Sequence, residues 1–342
     1  MSLRLSDFDY DLPGNLIAQQ PALKRGGSRL LVVERRDGSI RHSRFSDIPA
    51  FLRSGDVVVF NDTKVICARL NGRRISGGRV EVLLLKDLGN ENYRALIKPL
   101  GRLKAGEEIF FGRGFSCRLV DAKEKIIAFN PPGAQAAMKD VGVLPLPPYV
   151  KRKPTSLDKK RYQTVFADKE GAIAAPTAGL HFTKHLISRI KKTGAQVCFL
   201  TLHVNYATFS PVRCDDVSEH VMEEESVEIP VSTIEALRRA KSEGARVFCV
   251  GTTVCKALED NARSILQKKH DGTVTKMSKL FIYPPFNFKI VDCMITNFHL
   301  PRTTLLMLVS AFAGKDLIFK AYNEALKNEY RFYSYGDGML IL

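Results

Sequence analysis

The sequence lacks the paired cysteines that mark a disulfide framework or a structural zinc site. Its 7 cysteines are spread singly through 342 residues, without a Cys-x-x-Cys pair, and the zinc motif His-Glu-x-x-His is also missing. Neither a disulfide-stabilised fold nor a metal site is therefore expected. Cys67, Cys198 and Cys249 stand in apolar runs, so we expect reduced, buried thiols.

Long hydrophobic runs are missing as well. The longest nearly uninterrupted apolar stretch, residues 305–314, is about half as long as the roughly 20 residues of a membrane-spanning helix. It is therefore expected to be a buried helix. The N-terminal residues MSLRLSDFDYDLPG have neither the basic start nor the apolar segment of a signal peptide. These absences predict a cytoplasmic protein without a membrane partner.

Two phosphate-binding fingerprints do not occur, namely the Gly-x-Gly-x-x-Gly of dinucleotide-binding folds and the Walker-type Gly-x-x-x-x-Gly-Lys-Ser/Thr. Their absence disfavours nicotinamide-dependent dehydrogenases and P-loop nucleotidases without excluding them. The missing glycine fingerprint also weighs weakly against a methyltransferase. That class stays a competing interpretation.

Acidic residues are few in relation to basic ones. The chain has 52 Lys+Arg against 36 Asp+Glu, a formal charge of +16. Residues 64–161 alone hold 21 basic and 9 acidic residues, so most of the excess lies in less than a third of the chain. A folded protein this basic usually binds a polyanion, and a merely basic, soluble surface is the competing interpretation. The candidates for phosphate contact are Arg69, Arg73, Arg74, Arg79, Arg102, Lys104, Lys151, Arg152 and Lys153.

The chain is long enough for two domains to be expected. Its hydrophobic pattern also divides it into two regions. Residues 64–150 hold short strand-like runs separated by GG, GN, PLG and PPG, which predicts a small barrel or sandwich. After residue 162, strands and helices alternate as in a parallel α/β sheet. The early strand-like runs need a sheet to join. We therefore predict an α/β domain from residues 1–63 and 151–342, into which residues 64–150 are inserted as an all-β domain.

Helix boundaries in the α/β region follow from caps and spacing. A helix over residues 184–192 has its apolar residues on one side and stops at Gly194. Ser232 and Glu235 have the spacing of a capping box at the start of a second helix. Asp316 is expected to cap the last helix.

Three histidines stand where strands of the predicted sheet end. In an open α/β sheet, ligands bind beyond the carboxyl ends of the strands. The loops near Asn61, His181, Gly251 and His299 are therefore expected to converge on one crevice. Imidazole titrates near neutrality and is the usual group for proton transfer. A structural role is the competing interpretation for each histidine, above all for His203, which alternation places on an apolar strand face.

Two turns of small residues precede predicted helices. One contains Thr177, Ala178 and Gly179, and the other contains Gly251, Thr252 and Thr253. Small residues let a ligand approach backbone N–H groups at a helix start, although tight packing and an ordinary cap would produce the same pattern. Glu259, on the helix after Gly251, is placed to accept ribose hydroxyls or to pair with Arg263.

A series of segments along the chain is peculiar to one family. They are DFDYDLPGNLIAQQP, DVVVFNDTKVICARL, LPLPPYVKR, RYQTVF, AIAAPTAGLHF, TLHV, VGTT, ITNFHLP, LLMLVSAFAG and YGDGMLI. Over essentially its full length the chain resembles the S-adenosylmethionine:tRNA ribosyltransferase-isomerases of queuosine biosynthesis. The resemblance implies an α/β domain that carries a β-barrel insertion.

The resemblance also implies the reaction. S-adenosylmethionine would be consumed as a ribosyl donor, the acceptor would be 7-aminomethyl-7-deazaguanine at the wobble position of a tRNA, and the products would be epoxyqueuosine, adenine and methionine. We expect His181 or His299 to be the base, and His203 or Glu259 to protonate the departing adenine. The donor is expected to contact Asn61, Thr177, Ala178, Gly179, Gly251, Thr252, Thr253 and Asn297. The barrel is expected to contact tRNA, and a monomer that needs no further cofactor and no metal is expected.

The chain departs from the family pattern at several positions. Asn205, Tyr206 and Ala207 follow TLHV where small residues are usual, Lys256 follows VGTT where arginine is usual, and Pro285 replaces a glycine. Replacing arginine by lysine removes a bidentate donor. A tRNA-binding protein with reduced or lost catalysis is therefore the alternative function.

Overall fold

The computed structural model describes residues 3–205, 212–267 and 272–342; Tyr206 and Ala207 lie outside these ranges. Its main sheet has nine strands: β1 (Arg29–Val33), β2 (Ile40–Arg44), β3 (Val57–Asn61), β12 (Gln196–Leu202), β13 (Glu225–Ile229), β14 (Val247–Val250), β15 (Val274–Ser278), β16 (Cys293–Asn297) and β17 (Gly338–Ile341). Their order in the sheet is β15-β13-β12-β3-β14-β16-β17-β1-β2.

The centre of the sheet is parallel, one flank (β12-β13-β15) is antiparallel, and the other flank (β16-β17-β1-β2) is mixed. β12, β3, β14 and β16 pair in parallel, and so do β1 and β17. Every residue of β3, β14 and β16 is buried, because apolar layers cover both faces of the sheet. β1 and β3 join this sheet from the N-terminal region, as expected. The predicted α/β class is thus confirmed, with a mixed sheet.

Helices cover the sheet. They are α3 (Lys184–Lys192), α4 (Val231–Ser242), α5 (Thr252–Asp260), α6 (Ala262–Leu266), α7 (Thr304–Ala313) and α8 (Lys315–Lys327). Short 3-10 helices lie at Leu5–Phe8, Gly14–Leu16, Phe45–Phe51, Leu100–Arg102, Thr177–His181 and Val217–Glu219. The bounds of α3 match the prediction. The predicted capping box of α4 was wrong, because Pro230 occupies the N-cap; Asp316 lies inside the first turn of α8, whose N-cap is Gly314.

A closed antiparallel barrel interrupts the α/β region. Its strands are β5 (Arg69–Arg74), β6 (Arg79–Gly89), β7 (Asn92–Lys98), β8 (Glu108–Gly112), β9 (Phe115–Asp121) and β10 (Ile126–Phe129), and β10 closes against β9. Inward side chains alternate with exposed ones and form a separate core. The predicted all-β insertion is therefore a barrel. Its exact boundaries, 64 and 150, stay a prediction.

Short elements tie the barrel to the sheet. β4 (Thr63–Val65) pairs in parallel with β11 (Lys169–Ala172), while α1 (Ala134–Asp140) and α2 (Ser156–Arg161) flank the return of the chain. The buried Asp158 accepts hydrogen bonds from Arg152 (2.6 and 2.8 Å) and from the Tyr335 hydroxyl (2.7 Å). Burial raises the pKa of this carboxyl, but the hydrogen bonds outweigh burial and hold the pKa well below its usual range. This network fixes the connector against the C-terminal strand region.

Among the described residues, no helix combines the length and the apolar composition of a membrane span. The same residues contain no group of three or more His, Cys, Asp or Glu side chains that could hold a metal ion. All seven cysteines are free thiols, and five of them are buried. Cys198 and Cys249 are buried as predicted, whereas Cys67 is only partly buried.

Candidate active site

A narrow crevice opens where β14 and β16 end. The segment before the Thr177–His181 helix, the start of α5 and a C-terminal loop form its walls. It encloses about 40 Å³, room for a few water molecules. The residues that line it are Ala174, Ala175, Pro176, Thr177, Ala178, Val204, Gly251, Thr252, Thr253, Thr296, Asn297, His299, Leu305, Tyr333 and Ser334.

Two buried polar atoms belong to residues of this crevice and have no hydrogen-bond partner among the described residues. They are Asn297 Oδ1 and Thr253 Oγ1. Asn297 is only 2% exposed, and its amide nitrogen donates to His181 Nε2 (3.0 Å) and to the Tyr333 carbonyl (3.1 Å). Leaving a buried acceptor unpaired is costly. The amide is therefore held rigidly with a free oxygen, as a ligand-binding group would be.

His299 is the histidine that lines the crevice. Its Nε2 is 3.0 Å from Thr296 Oγ1, and its backbone N–H donates to the Tyr322 hydroxyl at 2.9 Å. The Tyr10 hydroxyl donates to its carbonyl. No hydrogen bond from the described residues reaches Nδ1. Burial lowers the pKa of the imidazole to about 3, so the ring is neutral at physiological pH.

His181 lies behind Asn297 and does not line the crevice. An amide N–H only donates, so Nε2 of His181 is the acceptor and Nδ1 carries the proton toward Ser28 Oγ, 2.9 Å away. The ring stacks on Phe45 at 4.5 Å. Its pKa is lowered to about 3, first by burial and then by the charges of Arg25 and Arg331. Both nitrogens are occupied within the protein, and this geometry makes His181 the residue that orients Asn297.

His203 lies beside a different cavity, the cleft between the barrel and the sheet. Its Nδ1 is 2.7 Å from Thr63 Oγ1, and its ring packs so closely on Gly171 that an added Cβ would approach Cε1 to 2.9 Å. Gly171 lines the cleft, which measures about 600 Å³. His203 itself lines neither cavity, although its chain neighbour Val204 lines the crevice. Burial lowers the pKa of its imidazole.

Two other predicted site residues, Asn61 and Glu259, form hydrogen bonds with backbone groups. Asn61 accepts hydrogen bonds from the backbone N–H groups of Thr63 (3.1 Å) and Leu202 (3.0 Å) and donates to the Leu202 carbonyl. Glu259 accepts three backbone N–H groups of the segment Lys289–Val291, at 2.8, 3.0 and 2.8 Å. Neither side chain lines the crevice. Their geometry gives no support to the predicted contact with donor or adenine.

The glycines of the two small-residue turns, Gly251 and Gly179, have different structural roles. Gly251 has φ +97° at the N-cap of α5 and lines the crevice beside Ala178. This backbone conformation belongs almost only to glycine. Gly179 does not line the crevice, and an added Cβ at this position would come within 2.9 Å of Thr164 and 3.0 Å of Phe166. Its small size allows helix packing, whereas Thr177 and Ala178 do line the crevice.

Tyr333 and Ser334, which form the C-terminal wall of the crevice, were not predicted from the sequence. Tyr333 has φ +72°, which is strained for an aromatic residue. Its carbonyl is one of the acceptors that hold Asn297. Ser334 hydrogen bonds to the Tyr149 hydroxyl, and Tyr149 packs edge-on against Tyr333 at 4.0 Å. The connector residue Tyr149 thus supports the crevice, a contact that no local pattern in the sequence reports.

The basic candidates separate into paired and exposed residues. Arg74 is paired with Glu107 (2.5 Å), Arg152 with Asp158, and Arg69 donates to the Leu146 carbonyl (3.2 Å). The others have exposed side chains: Arg73, Arg79, Arg102, Lys104, Lys151 and Lys153. Arg73 and Arg79 are direct cross-strand partners in β5 and β6. Two like charges at such a pair are unfavourable unless an anion binds between them.

The fold and the crevice are those of an α/β enzyme with a candidate substrate site at its strand ends and an inserted, basic β-barrel. Comparison with known proteins gives the particular group. The chain belongs to the family of queuosine biosynthesis proteins, whose model matches residues 5–341.

Relatives match along nearly their whole length. A protein named S-adenosylmethionine:tRNA ribosyltransferase-isomerase from Halothermothrix orenii is 47% identical, with 99% of this chain and 100% of the relative covered. One of the same name from Aquifex aeolicus is 45% identical, with the same coverage. A crystal structure of S-adenosylmethionine tRNA ribosyltransferase from Thermotoga maritima is similar with a TM-score of 0.58 at 37% identity, over 98% of this chain and 100% of that one.

Proposed function

We propose that this protein transfers and isomerises the ribosyl group of S-adenosylmethionine onto 7-aminomethyl-7-deazaguanine at the wobble position of a tRNA. The products are epoxyqueuosine, adenine and methionine. Support comes from full-length relatives that carry the name of this enzyme. It also comes from a crevice at the strand ends that is lined by polar residues, among them His299 and Asn297.

One observation carries the enzymatic interpretation. The crevice brings together a neutral histidine and two buried, unpaired oxygen atoms, Asn297 Oδ1 and Thr253 Oγ1. A protein that only binds tRNA would gain nothing from such costly groups in an interior site. The alternative of a tRNA-binding protein without catalysis is therefore less well supported.

We assign His299 to the first step of the reaction. The sulfonium of the donor acidifies the C–H bonds next to it, so a positioned base can take a proton from the ribose carbon attached to sulfur. His299 is neutral and has Nδ1 for this proton, while Thr296 Oγ1 fixes the ring through Nε2. Asn297 Oδ1 accepts a hydrogen bond from the bound nucleoside. Its orientation is maintained by His181, which links the APTAGLHF segment to the reaction.

A second proton must reach adenine as it leaves. Of the two expected donors, Glu259 is bound to backbone N–H groups. His203 remains, since its ring packs against Gly171 of the barrel cleft and its chain neighbour Val204 lines the crevice. The same position brings it near a deazaguanine that enters from the barrel side.

The partners follow from this assignment. S-adenosylmethionine is consumed as a substrate, and no further cofactor and no metal is required. The exposed cations of the barrel bind tRNA phosphates. We further propose a monomer that works in the cytoplasm, where the tRNA is.

The decisive experiment incubates the purified protein with S-adenosylmethionine and tRNA that carries the deazaguanine. Release of adenine and methionine is expected, with a control tRNA that has unmodified guanine giving neither product. Stable tRNA binding without adenine release would favour the non-catalytic alternative. Methylated tRNA together with S-adenosylhomocysteine would instead identify a methyltransferase.

A further inference from the structure

Tyr149 contacts the C-terminal wall of the crevice from outside. It stands in the connector through which the chain returns from the barrel, and it does not line the crevice itself. Its ring packs edge-on against Tyr333, with 4.0 Å between the ring centroids, and its hydroxyl hydrogen bonds to Ser334. Burial raises the pKa of this phenol, so the hydroxyl stays protonated at physiological pH. One side chain of the connector thus holds two consecutive residues of the wall.

The backbone around Tyr149 is fixed by the N-terminal segment. Gln19 Nε2 donates to the Tyr149 carbonyl at 3.0 Å, and Gln19 Oε1 accepts the backbone N–H of Lys151 at 2.9 Å. Arg152, whose guanidinium pairs with Asp158, also donates to the Gln19 carbonyl at 2.9 Å. Three residues of the connector are therefore anchored on one glutamine, which gives the Tyr149 ring a defined position.

Tyr333 links this contact to Asn297. Its backbone N–H donates to the Phe298 carbonyl at 3.1 Å, and its own carbonyl accepts a hydrogen bond from Asn297 Nδ2 at 3.1 Å. Its φ of +72° is unfavourable for an aromatic residue and persists only where neighbouring contacts impose it. The ring contact from Tyr149 and the hydrogen bond to Ser334 are two such contacts.

The orientation of the Asn297 amide depends on the acceptors of its two N–H groups. One N–H is directed to His181 Nε2 at 3.0 Å, and the other is directed to the Tyr333 carbonyl. The Asp337 carbonyl is farther from Nδ2, at 3.4 Å. If the Tyr333 carbonyl moves away, the amide loses its better second acceptor and is free to rotate. The position of the unpaired Oδ1 therefore depends on a series of contacts that begins at Tyr149.

We propose that Tyr149 is a positioning residue for the reaction, an inference that rests on the proposed function. It holds the Tyr333 carbonyl against the Asn297 amide and thereby keeps Asn297 Oδ1 available to the bound nucleoside. Tyr149 acts through Asn297 and does not touch the substrate. A residue of the barrel connector thus sets the affinity of a crevice in the α/β domain.

The test is a double-mutant cycle between Tyr149 and Asn297. Titration calorimetry measures the affinity for S-adenosylhomocysteine, which has the nucleoside of the donor but no sulfonium. Tyr149→Phe removes only the hydroxyl and is expected to weaken binding about fivefold, the effect of about one lost hydrogen bond. In the Asn297→Ala background the same substitution should change the affinity by less than about twofold, because the amide through which it acts is gone. Losses that multiply in the double variant would overturn the inference.

Two further variants separate positioning from a general loss of structure. Tyr335→Phe removes a hydroxyl of the same loop that binds Asp158, and its affinity for S-adenosylhomocysteine should equal that of the wild type. Tyr149→Phe/Ser334→Ala removes both hydroxyls, so neither is left buried without a partner. It is expected to bind as weakly as Tyr149→Phe. An equal loss of affinity in Tyr335→Phe would refute the positioning role.

Failure of this inference differs from failure of the proposed function. Hydrogen exchange of the ligand-free protein reports on the Tyr333 N–H, which is expected to exchange faster in Tyr149→Phe than in the wild type. If this exchange is unchanged while the wild type releases adenine with substrate tRNA, only the positioning role is refuted. If the wild type neither binds S-adenosylhomocysteine nor releases adenine, both proposals are refuted.

Discussion

At the scale of single residues, His299 carries the sharpest prediction. His299→Ala is expected to lower kcat at least 100-fold, a magnitude typical for the loss of a general base. Affinity for S-adenosylhomocysteine should change little, because Asn297 and the start of α5 remain. Single-turnover adenine release and calorimetry measure the two effects separately. The exposed His185→Ala is the matched control and should keep wild-type turnover; equal rates for both variants would contradict the assignment.

Burial of the same histidine predicts how stability depends on pH. Burial lowers the pKa of His299 and His181 to about 3, from an unfolded value near 6.5. Below about pH 6.5 the unfolded chain takes up protons that the folded chain does not, so stability falls as the pH falls from 6.5 toward 3. Each histidine contributes a slope of about 1.4 kcal/mol per pH unit.

Urea unfolding between pH 6 and pH 4.5 checks this effect. Carboxylates also contribute to the slope, so the informative quantity is a difference between variants. His299→Gln is expected to make the slope shallower by about 1.4 kcal/mol per pH unit. The same substitution at the exposed His185 is the control. A slope that both variants change equally would show that burial at position 299 is not the cause.

The sequence predicted correctly that several residues lie at the crevice, but it predicted the roles of the individual side chains less well. His299, Asn297 and Gly251 line or border the crevice because strand ends and helix starts are local features. Asn61 and Glu259 were expected to contact the donor, yet both satisfy backbone N–H groups. A polar side chain at a strand end can bind a ligand or accept hydrogen bonds from the backbone equally well. The choice depends on which backbone groups lack partners in the folded chain, and no sequence pattern states this.

At the scale of elements, substitutions at two helix starts are expected to lower stability equally but to affect donor binding differently. Gly251 and Gly314 occupy the N-caps of α5 and α8 with φ +97° and +86°. Alanine at either position strains the backbone by roughly 1–3 kcal/mol, so both variants should lose stability to a similar extent. Only Gly251→Ala should weaken S-adenosylhomocysteine binding, because only Gly251 lines the crevice. Chemical unfolding and calorimetry measure both; weakened binding in Gly314→Ala would contradict a local effect.

Element boundaries were predictable where their signals are local. The bounds of α3 follow from apolar spacing and from Gly194, whose φ of +86° ends the helix. The start of α4 was placed too late, because Pro230 already terminates the preceding strand. The barrel was predictable from short, evenly punctuated runs. Its closure between β9 and β10 was not, since closure depends on strand tilt and register rather than on any single segment.

At the scale of the molecule, the charge asymmetry has a structural counterpart in the barrel. Arg73 and Arg79 face each other across β5 and β6, and the β5–β6 turn also exposes Ile75, which is 86% accessible. Repulsion between two guanidinium groups disfavours this arrangement in the free protein. A phosphate between them would remove that repulsion. We therefore expect this hairpin to be a contact for tRNA phosphates.

Arg73→Ala/Arg79→Ala is therefore expected to weaken tRNA binding and to reduce its salt dependence. Each lost contact to a single-stranded phosphate lowers the slope of log K against log salt by about 0.7, so the double variant should lose about 1.4. Its stability should be unchanged or higher, because the repulsion is gone. Filter binding between 50 and 200 mM salt, a range over which such contacts are readily resolved, measures the slope. The exposed pair Lys191→Ala/Lys192→Ala on α3 removes the same charge from the α/β domain; if it reduces the slope equally, tRNA does not bind specifically through the barrel hairpin.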